Sequence, residues 1–224
     1  MTGTPAAIVC DLDGTLLDTL EDLADSVNIV LAEQGLPVHA VQAYRYFVGD
    51  GASVLMTRVL PEKLRDTGLH TTCLKRFREV YATRWNLKTK PYRGIPEMLA
   101  EVSRRAIRLA VLSNKPHDVT LQCVDVLLAS TVFDIVQGQV EGVPRKPDPQ
   151  GALAIAQALH VAPERCWYLG DTATDMQTAT RAGMLPVGVL WGFRTREELA
   201  QHGARVLLAS PDQLLPLLDG GGAA

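Results

Sequence analysis

At 224 residues the chain is longer than a typical single domain of about 150 residues and short for two large ones, so one core plus a smaller module is the expected plan. An apolar share of 47% is that of a globular protein, and a formal net charge of −3 removes the electrostatic ground for a nucleic-acid partner; an anionic ligand must be met by local cations. No stretch reaches the length of a membrane span, the amino terminus has no basic leader-like region, and Cys10, Cys73, Cys123 and Cys166 form no CxxC pair, which together predict a reduced, cytoplasmic protein without a membrane partner.

The short apolar run Ala6 to Cys10 halts at Asp11-Leu12-Asp13-Gly14, as a buried strand ends in a turn. Asp18 or Thr19 then caps a helix whose Leu20, Leu23, Ala24, Val27, Val30 and Leu31 recur at helical spacing until Gly35. From there to Trp85 the pattern is helical, punctuated by Pro37, Gly49 to Gly51, Pro61 and Gly68, with no strand. Beyond Pro91 the rhythm alternates: helix Pro96 to Arg104, strand Ile107 to Leu112, helix Pro116 to Leu128, strand Phe133 to Val136, helix Pro149 to Leu159, strand Cys166 to Leu169, helix Thr172 to Ala182 and strand Pro186 to Leu190. A last strand, Arg205 to Leu208, and a helix, Asp212 to Leu218, precede an expected loose tail at Gly220 to Ala224.

Strands alternating with helices imply a parallel sheet covered on both faces. The fold class is therefore α/β: a three-layer, doubly wound, Rossmann-like core formed by residues 1–15 and 93–224, interrupted by an all-helical insertion at 16–92. Ligands of such sheets bind beyond the carboxyl ends of the strands, and a module inserted after the first strand is expected to act as a lid there.

The loops at those ends carry Asp11 and Asp13 after the first strand, Ser113 and Asn114 after the second, Lys146 before the helix at Pro149, and Asp171 with Asp175 after the strand ending at Leu169. Carboxylates gathered in this way repel unless a cation intervenes, and hard oxygen ligands favour Mg2+. Lys146 and the Ser113 hydroxyl suit the remaining oxygens of a phosphoryl group. Gly14 allows a tight turn, from which the amides of Leu12 to Thr15 are expected to form an anion nest.

In this order and at these positions, Asp11-Leu12-Asp13-Gly14-Thr15, Ser113-Asn114, Lys146-Pro147-Asp148-Pro149 and Gly170-Asp171 with Asp175 resemble the four motifs of the haloacid dehalogenase-like superfamily, and the insertion resembles its helical cap. Val48-Gly49-Asp50-Gly51-Ala52-Ser53, Val111-Leu112-Ser113-Asn114-Lys115-Pro116 and Trp191-Gly192-Phe193 are similar to bacterial phosphoglycolate phosphatases. The resemblance implies a Mg2+-dependent phosphate monoester hydrolase in which Asp11 attacks phosphorus and forms an aspartyl-phosphate, while Asp13 serves as general acid and then general base. It implies Lys146 as a catalytic and phosphate-binding cation and Thr15, Ser113 and Asn114 as phosphate-binding residues. Gly49 and Gly51, with Arg45 or Arg58, are its substrate-binding candidates, and Asp11, Asp13, Asp171 and Asp175 its metal site. The partner implied is a small phosphorylated metabolite, on a monomer or dimer.

Each motif also has a structural reading. Asp11 to Thr15 can be an ordinary turn, Ser113-Asn114 a cap for the following helix, and Asp175 a carboxylate serving a helix dipole. The histidines show no metal-ligand spacing, and only His117 lies close to the motif residues. Within the family, a pyrophosphatase, a sugar-phosphate phosphatase or a phosphomutase shares this layout; a non-catalytic phosphate-binding module is the alternative of another class.

Overall fold

A computed structural model describes residues 3–65 and 67–220; the tail expected at Gly220 to Ala224 falls, beyond Gly220, outside the described residues. The chain divides into two compact units, Met1–Leu17 with Pro91–Ala224, and Asp18–Lys90.

The first unit is built on a six-stranded sheet. Its strands are β1 (Ala7–Cys10), β4 (Arg108–Pro116), β5 (Ile135–Gln139), β6 (Cys166–Gly170), β7 (Leu185–Val189) and β8 (Val206–Leu208), while β2 (Leu17–Asp18) and β3 (Lys90–Pro91) form a separate two-stranded sheet. The order β5-β4-β1-β6-β7-β8 is parallel at every pairing, with Cys10 in register with Val111 on one side and Leu169 on the other. Strand order reverses between β1 and β6, the point at which doubly wound sheets open a crevice.

β1 is buried at every position, because both faces of a parallel sheet are covered. On one face Ala7, Val9, Ala110, Leu112, Cys166 and Tyr168 pack with Ala152, Ile155 and Ala156 of α7 (Gln150–Ala158) and Ala179 and Ala182 of α8 (Ala173–Ala182). α5 (Ile95–Arg104) packs against β4, buries Ile95, Met98, Leu99 and Val102, and receives α10 (Leu214–Leu218). α6 (His117–Leu127) packs on β4 and β5, and α9 (Arg196–Gln201) on β7.

Several elements differ from the sequence-based expectation. β4 runs past Leu112 to Pro116 because, after a register shift, it pairs again with β5 at Gln139. α9 was not expected; its signal is Thr195, whose hydroxyl accepts the Glu198 amide at 3.4 Å as an N-cap. The first unit also retains Leu16, Leu17, Pro91 and Tyr92. The Leu16 and Leu17 amides both donate to the Leu12 carbonyl at 3.0 Å, and Tyr92 donates to Leu16 at 3.1 Å.

The second unit is helical: α1 (Leu20–Glu33), α2 (Tyr44–Phe47), α3 (Ala52–Val59) and α4 (Gly68–Ala82), with α4 packed on α1 and α3. Thr19 precedes α1, but its hydroxyl makes no capping bond, and Asp18 does not cap the helix either. Within this unit Asp22, buried in α1, accepts the amides of Lys88 at 2.9 Å and Thr89 at 2.8 Å and the Thr89 hydroxyl at 2.8 Å, tying the first helix to the end of the segment.

Candidate active site

Asp11 continues the β1 ladder by one residue, its amide donating to Leu169 at 2.9 Å, and its carboxyl is buried. The turn that follows is closed on itself. Leu12 N donates to Asp11 Oδ1 at 2.7 Å, Gly14 N to Leu17 O at 2.8 Å and Thr15 N to Leu12 O at 3.3 Å. Of the four amides from Leu12 to Thr15 expected to form an anion nest, those of Leu12, Gly14 and Thr15 are thus used inside the turn. Gly14 has φ +87°, and a Cβ there would overlap the Asp171 carboxylate and come within 2.7 Å of the Phe193 ring, so glycine is required both by backbone and by space.

Lys146 is the most enclosed cation of the site. Its Nζ lies 2.8 Å from Asp11 Oδ1 and 2.7 Å from Asp175 Oδ1, with only 3% of its side chain exposed. Asn114 fixes it from behind, because Asn114 Oδ1 accepts the Lys146 amide at 3.0 Å and Nδ2 donates to the Lys146 carbonyl at 3.2 Å. Ser113 and Asn114 do not cap α6, whose N-cap is Pro116 without a side-chain bond; the Ser113 hydroxyl instead accepts the Lys115 amide at 3.2 Å.

Asp171 follows β6 directly and is fully buried. Oδ1 accepts the Thr15 hydroxyl at 2.9 Å and Oδ2 the Phe193 amide at 2.8 Å. Trp191 donates its indole N–H to the Thr15 carbonyl at 2.9 Å, so the loop after β7 secures both the turn after β1 and the carboxylate after β6. The structural reading of Asp175 is correct as far as it goes: it closes a capping box with Thr172 at the start of α8 through Oδ2. Its other oxygen faces Lys146, so one residue starts the helix and orients the lysine.

Asp13 is paired with a cation that sequence reasoning missed. Lys115 Nζ donates to Asp13 Oδ1 at 2.9 Å and Oδ2 at 3.2 Å. Lys115 sits next to Ser113-Asn114, but a lysine near the end of a strand gives no sign of which carboxylate it will meet. His117 is structural, its Nδ1 accepting the Gly138 amide at 3.1 Å.

Electrostatics explain why this cluster calls for positive charge. Burial pushes Asp11 well above the ordinary carboxylate range, the Asp175 charge pushes it further, and Lys146 pulls it back only in part. Burial, followed by the Asp175 charge, raises Asp171 to about 7 against the Phe193 and Thr15 hydrogen bonds. Burial opposes the charge on Lys146, yet Asp11 and Asp175 hold its ammonium well above the usual lysine value. Asp11, Asp171 and Asp175 offer carboxylate oxygens that all lie within 4.8 Å of one another, a buried set of hard donors whose repulsion a divalent cation would relieve. These residues fit Mg2+.

In the second unit, Gly49 and Gly51 have φ +115° and +88°, and Gly51 is the N-cap of α3. Arg58, an expected substrate contact, is already engaged: it is ion-paired with Asp50 and donates to the Phe47 carbonyl at 3.0 Å, which braces the glycine loop.

The arrangement has relatives. Residues 8–189 match the family model of haloacid dehalogenase-like hydrolases. A phosphoglycolate phosphatase of Pseudomonas putida is 32% identical over 96% of this chain and 79% of its own length. One from Aquifex aeolicus is 31% identical over 95% of this chain and 96% of its own. The crystal structure of a candidate phosphoglycolate phosphatase from Lactobacillus delbrueckii subsp. bulgaricus superposes with a TM-score of 0.91 at 30% identity, covering 96% of this chain and 98% of that one. With a buried carboxylate-lysine cluster at the switch point of the sheet and this likeness along nearly its whole length, the chain belongs to the haloacid dehalogenase-like hydrolase family and is a phosphatase.

Proposed function

We propose that the enzyme hydrolyses 2-phosphoglycolate to glycolate and phosphate through an aspartyl-phosphate on Asp11. The observation that carries the mechanism is the position of Asp11: first residue after β1, buried, 2.8 Å from the Lys146 ammonium and within reach of Asp171 and Asp175. The likeness to phosphoglycolate phosphatases supports the substrate.

In this reading an Asp11 carboxylate oxygen attacks phosphorus in line as the ester P–O bond breaks. Asp13 gives its proton to the departing alkoxide, releasing glycolate. Asp13, now a carboxylate, takes a proton from the water that attacks the aspartyl-phosphate, so phosphate leaves and Asp11 is restored. Lys146 and the Ser113 hydroxyl hold phosphoryl oxygens and Thr15 steadies the metal ligand Asp171, while Asn114 serves by fixing the Lys146 backbone. Mg2+ would be held by the carboxylates of Asp11 and Asp171 and the backbone carbonyl of Asp13, with Asp175 orienting Lys146. Once bound, it supplies the positive charge that keeps the buried carboxylates ionised and offsets the phosphoryl dianion. Gly49 and Gly51 are assigned to selection among phosphate esters.

The test is phosphate release from 2-phosphoglycolate, pyrophosphate, sugar phosphates and nucleotides, with Mg2+ and with a chelator. 2-Phosphoglycolate is expected to lead, chelation to abolish turnover, and Asp11→Asn to be folded but inactive. Another ester leading would replace the substrate and leave the mechanism; undiminished Mg2+-dependent turnover by Asp11→Asn would remove the nucleophile. Turnover of a sugar bisphosphate without phosphate release would identify a mutase.

A further inference from the structure

Two lysines serve the site, one for each carboxylate of the first loop. Lys146 meets Asp11, and Lys115 meets Asp13. The Lys115 side chain is 4% exposed although Asp13, at 20%, is the more open partner. Enclosing an ammonium in this way is a poor stabilising device, because its desolvation offsets much of the Coulomb gain.

The backbone that carries Lys115 is braced on several sides. β4 breaks register between Leu112 and Pro116, and the Thr120 hydroxyl reaches the Lys115 and Pro116 carbonyls at 3.2 and 2.9 Å. Edge strand β5 comes so close that a Cβ on Gly138 would lie 2.7 Å from the Lys115 carbonyl. The Gly138 amide is also tied to His117. Lys115 is thus a long side chain anchored at its base, with its ammonium on the Asp13 carboxyl.

We propose that Lys115 is a positioning residue for Asp13, holding the carboxyl where it can protonate the leaving alkoxide and afterwards accept a proton from water. This rests on the mechanism given above. The grip survives the proton's arrival: Nζ donates to both Asp13 oxygens, so when one carries the proton the other still accepts. Lys115 exchanges no proton itself. Its effect is on geometry, to which proton transfer between fixed groups is sensitive.

The experiment compares an ester whose leaving group must be protonated with one whose leaving group departs as an anion. For wild type and Lys115→Met, kcat/KM is measured with 2-phosphoglycolate, or the alkyl ester that leads the panel, and with 2,4-dinitrophenyl phosphate. Because kcat/KM reports steps up to the first bond cleavage, loss of a positioned general acid is expected to lower the alkyl value by about 100-fold and the dinitrophenyl value by less than about 10-fold. Lys115→Arg, which keeps the charge, is expected to recover part of the alkyl rate alone; it carries the same selective criterion if the methionine variant does not fold. Equal losses on both esters would overturn the proposal, since a phosphate ligand or a damaged fold affects both alike, and so would no loss on either. Wild-type enzyme that releases phosphate from neither ester would overturn the phosphatase mechanism, and this proposal with it.

Discussion

Residues of the site are held mainly by other side chains, and their roles become specific only through those contacts. Lys146 has carboxylates on two sides and an asparagine clamp behind it. Lys146→Met is expected to lower kcat/KM at least 1,000-fold, by removing both a phosphoryl contact and the charge that offsets Asp11. It should also cost about 3–5 kcal/mol of stability in Mg2+-free buffer, because Asp11 and Asp175 are left buried together; denaturant unfolding measures this, and an unchanged midpoint would show that the lysine does not compensate them. The motifs offered Asp11, Asp13, Lys146, Asp171 and Asp175 as candidates by number. They did not reveal Lys115 as the partner of Asp13, the Phe193 amide as that of Asp171 or the Trp191 indole as that of the Thr15 carbonyl, because those pairings join loops distant in the chain.

At the scale of elements, period and punctuation made most of the helices and strands legible, and the misses have local causes. β4 extends because β5 is available to pair beyond its bulge, and α9 is only one short helix marked by one threonine cap. The helical insertion read clearly, but the device that closes it did not: Asp22 looks like a first-turn dipole residue, and only the folded segment brings Lys88 and Thr89 to it. Asp22→Ala leaves two amides and a hydroxyl without that acceptor, at a cost of about 2–3 kcal/mol. In calorimetry this should lower the melting temperature by roughly 5–10 °C, with Asp22→Asn losing less; an unchanged transition would remove Asp22 as the closing anchor.

For the whole molecule, the buried carboxylates link stability, pH and metal. Asp171 binds its proton in the metal-free fold up to about pH 7, whereas its ordinary value is 3.8. Between those values the folded state holds a proton that the unfolded chain has lost, so metal-free stability must fall as pH rises. Mg2+ competes for the ionised form, so its apparent affinity should rise with pH through the region around 7. The displacement of Asp11 acts in the same direction. Melting curves at pH 5.5 and pH 8, with and without Mg2+, should show the larger stabilisation at pH 8; equal shifts would mean that these carboxylates are not the metal ligands.

The sequence by itself determined that this is a parallel α/β core with a helical insertion, and which loops at the strand ends gather the carboxylates and Lys146. Both follow from local physics: apolar period, turn residues and carboxylates at strand ends need only neighbours in the chain. Only the tertiary structure decided which carboxylate each lysine meets and that Asn114 clamps a lysine backbone. Those outcomes depend on strand order and on atoms brought together from separate parts of the chain, 32 residues apart for Asn114 and Lys146 and 102 for Asp13 and Lys115, and no local pattern encodes them.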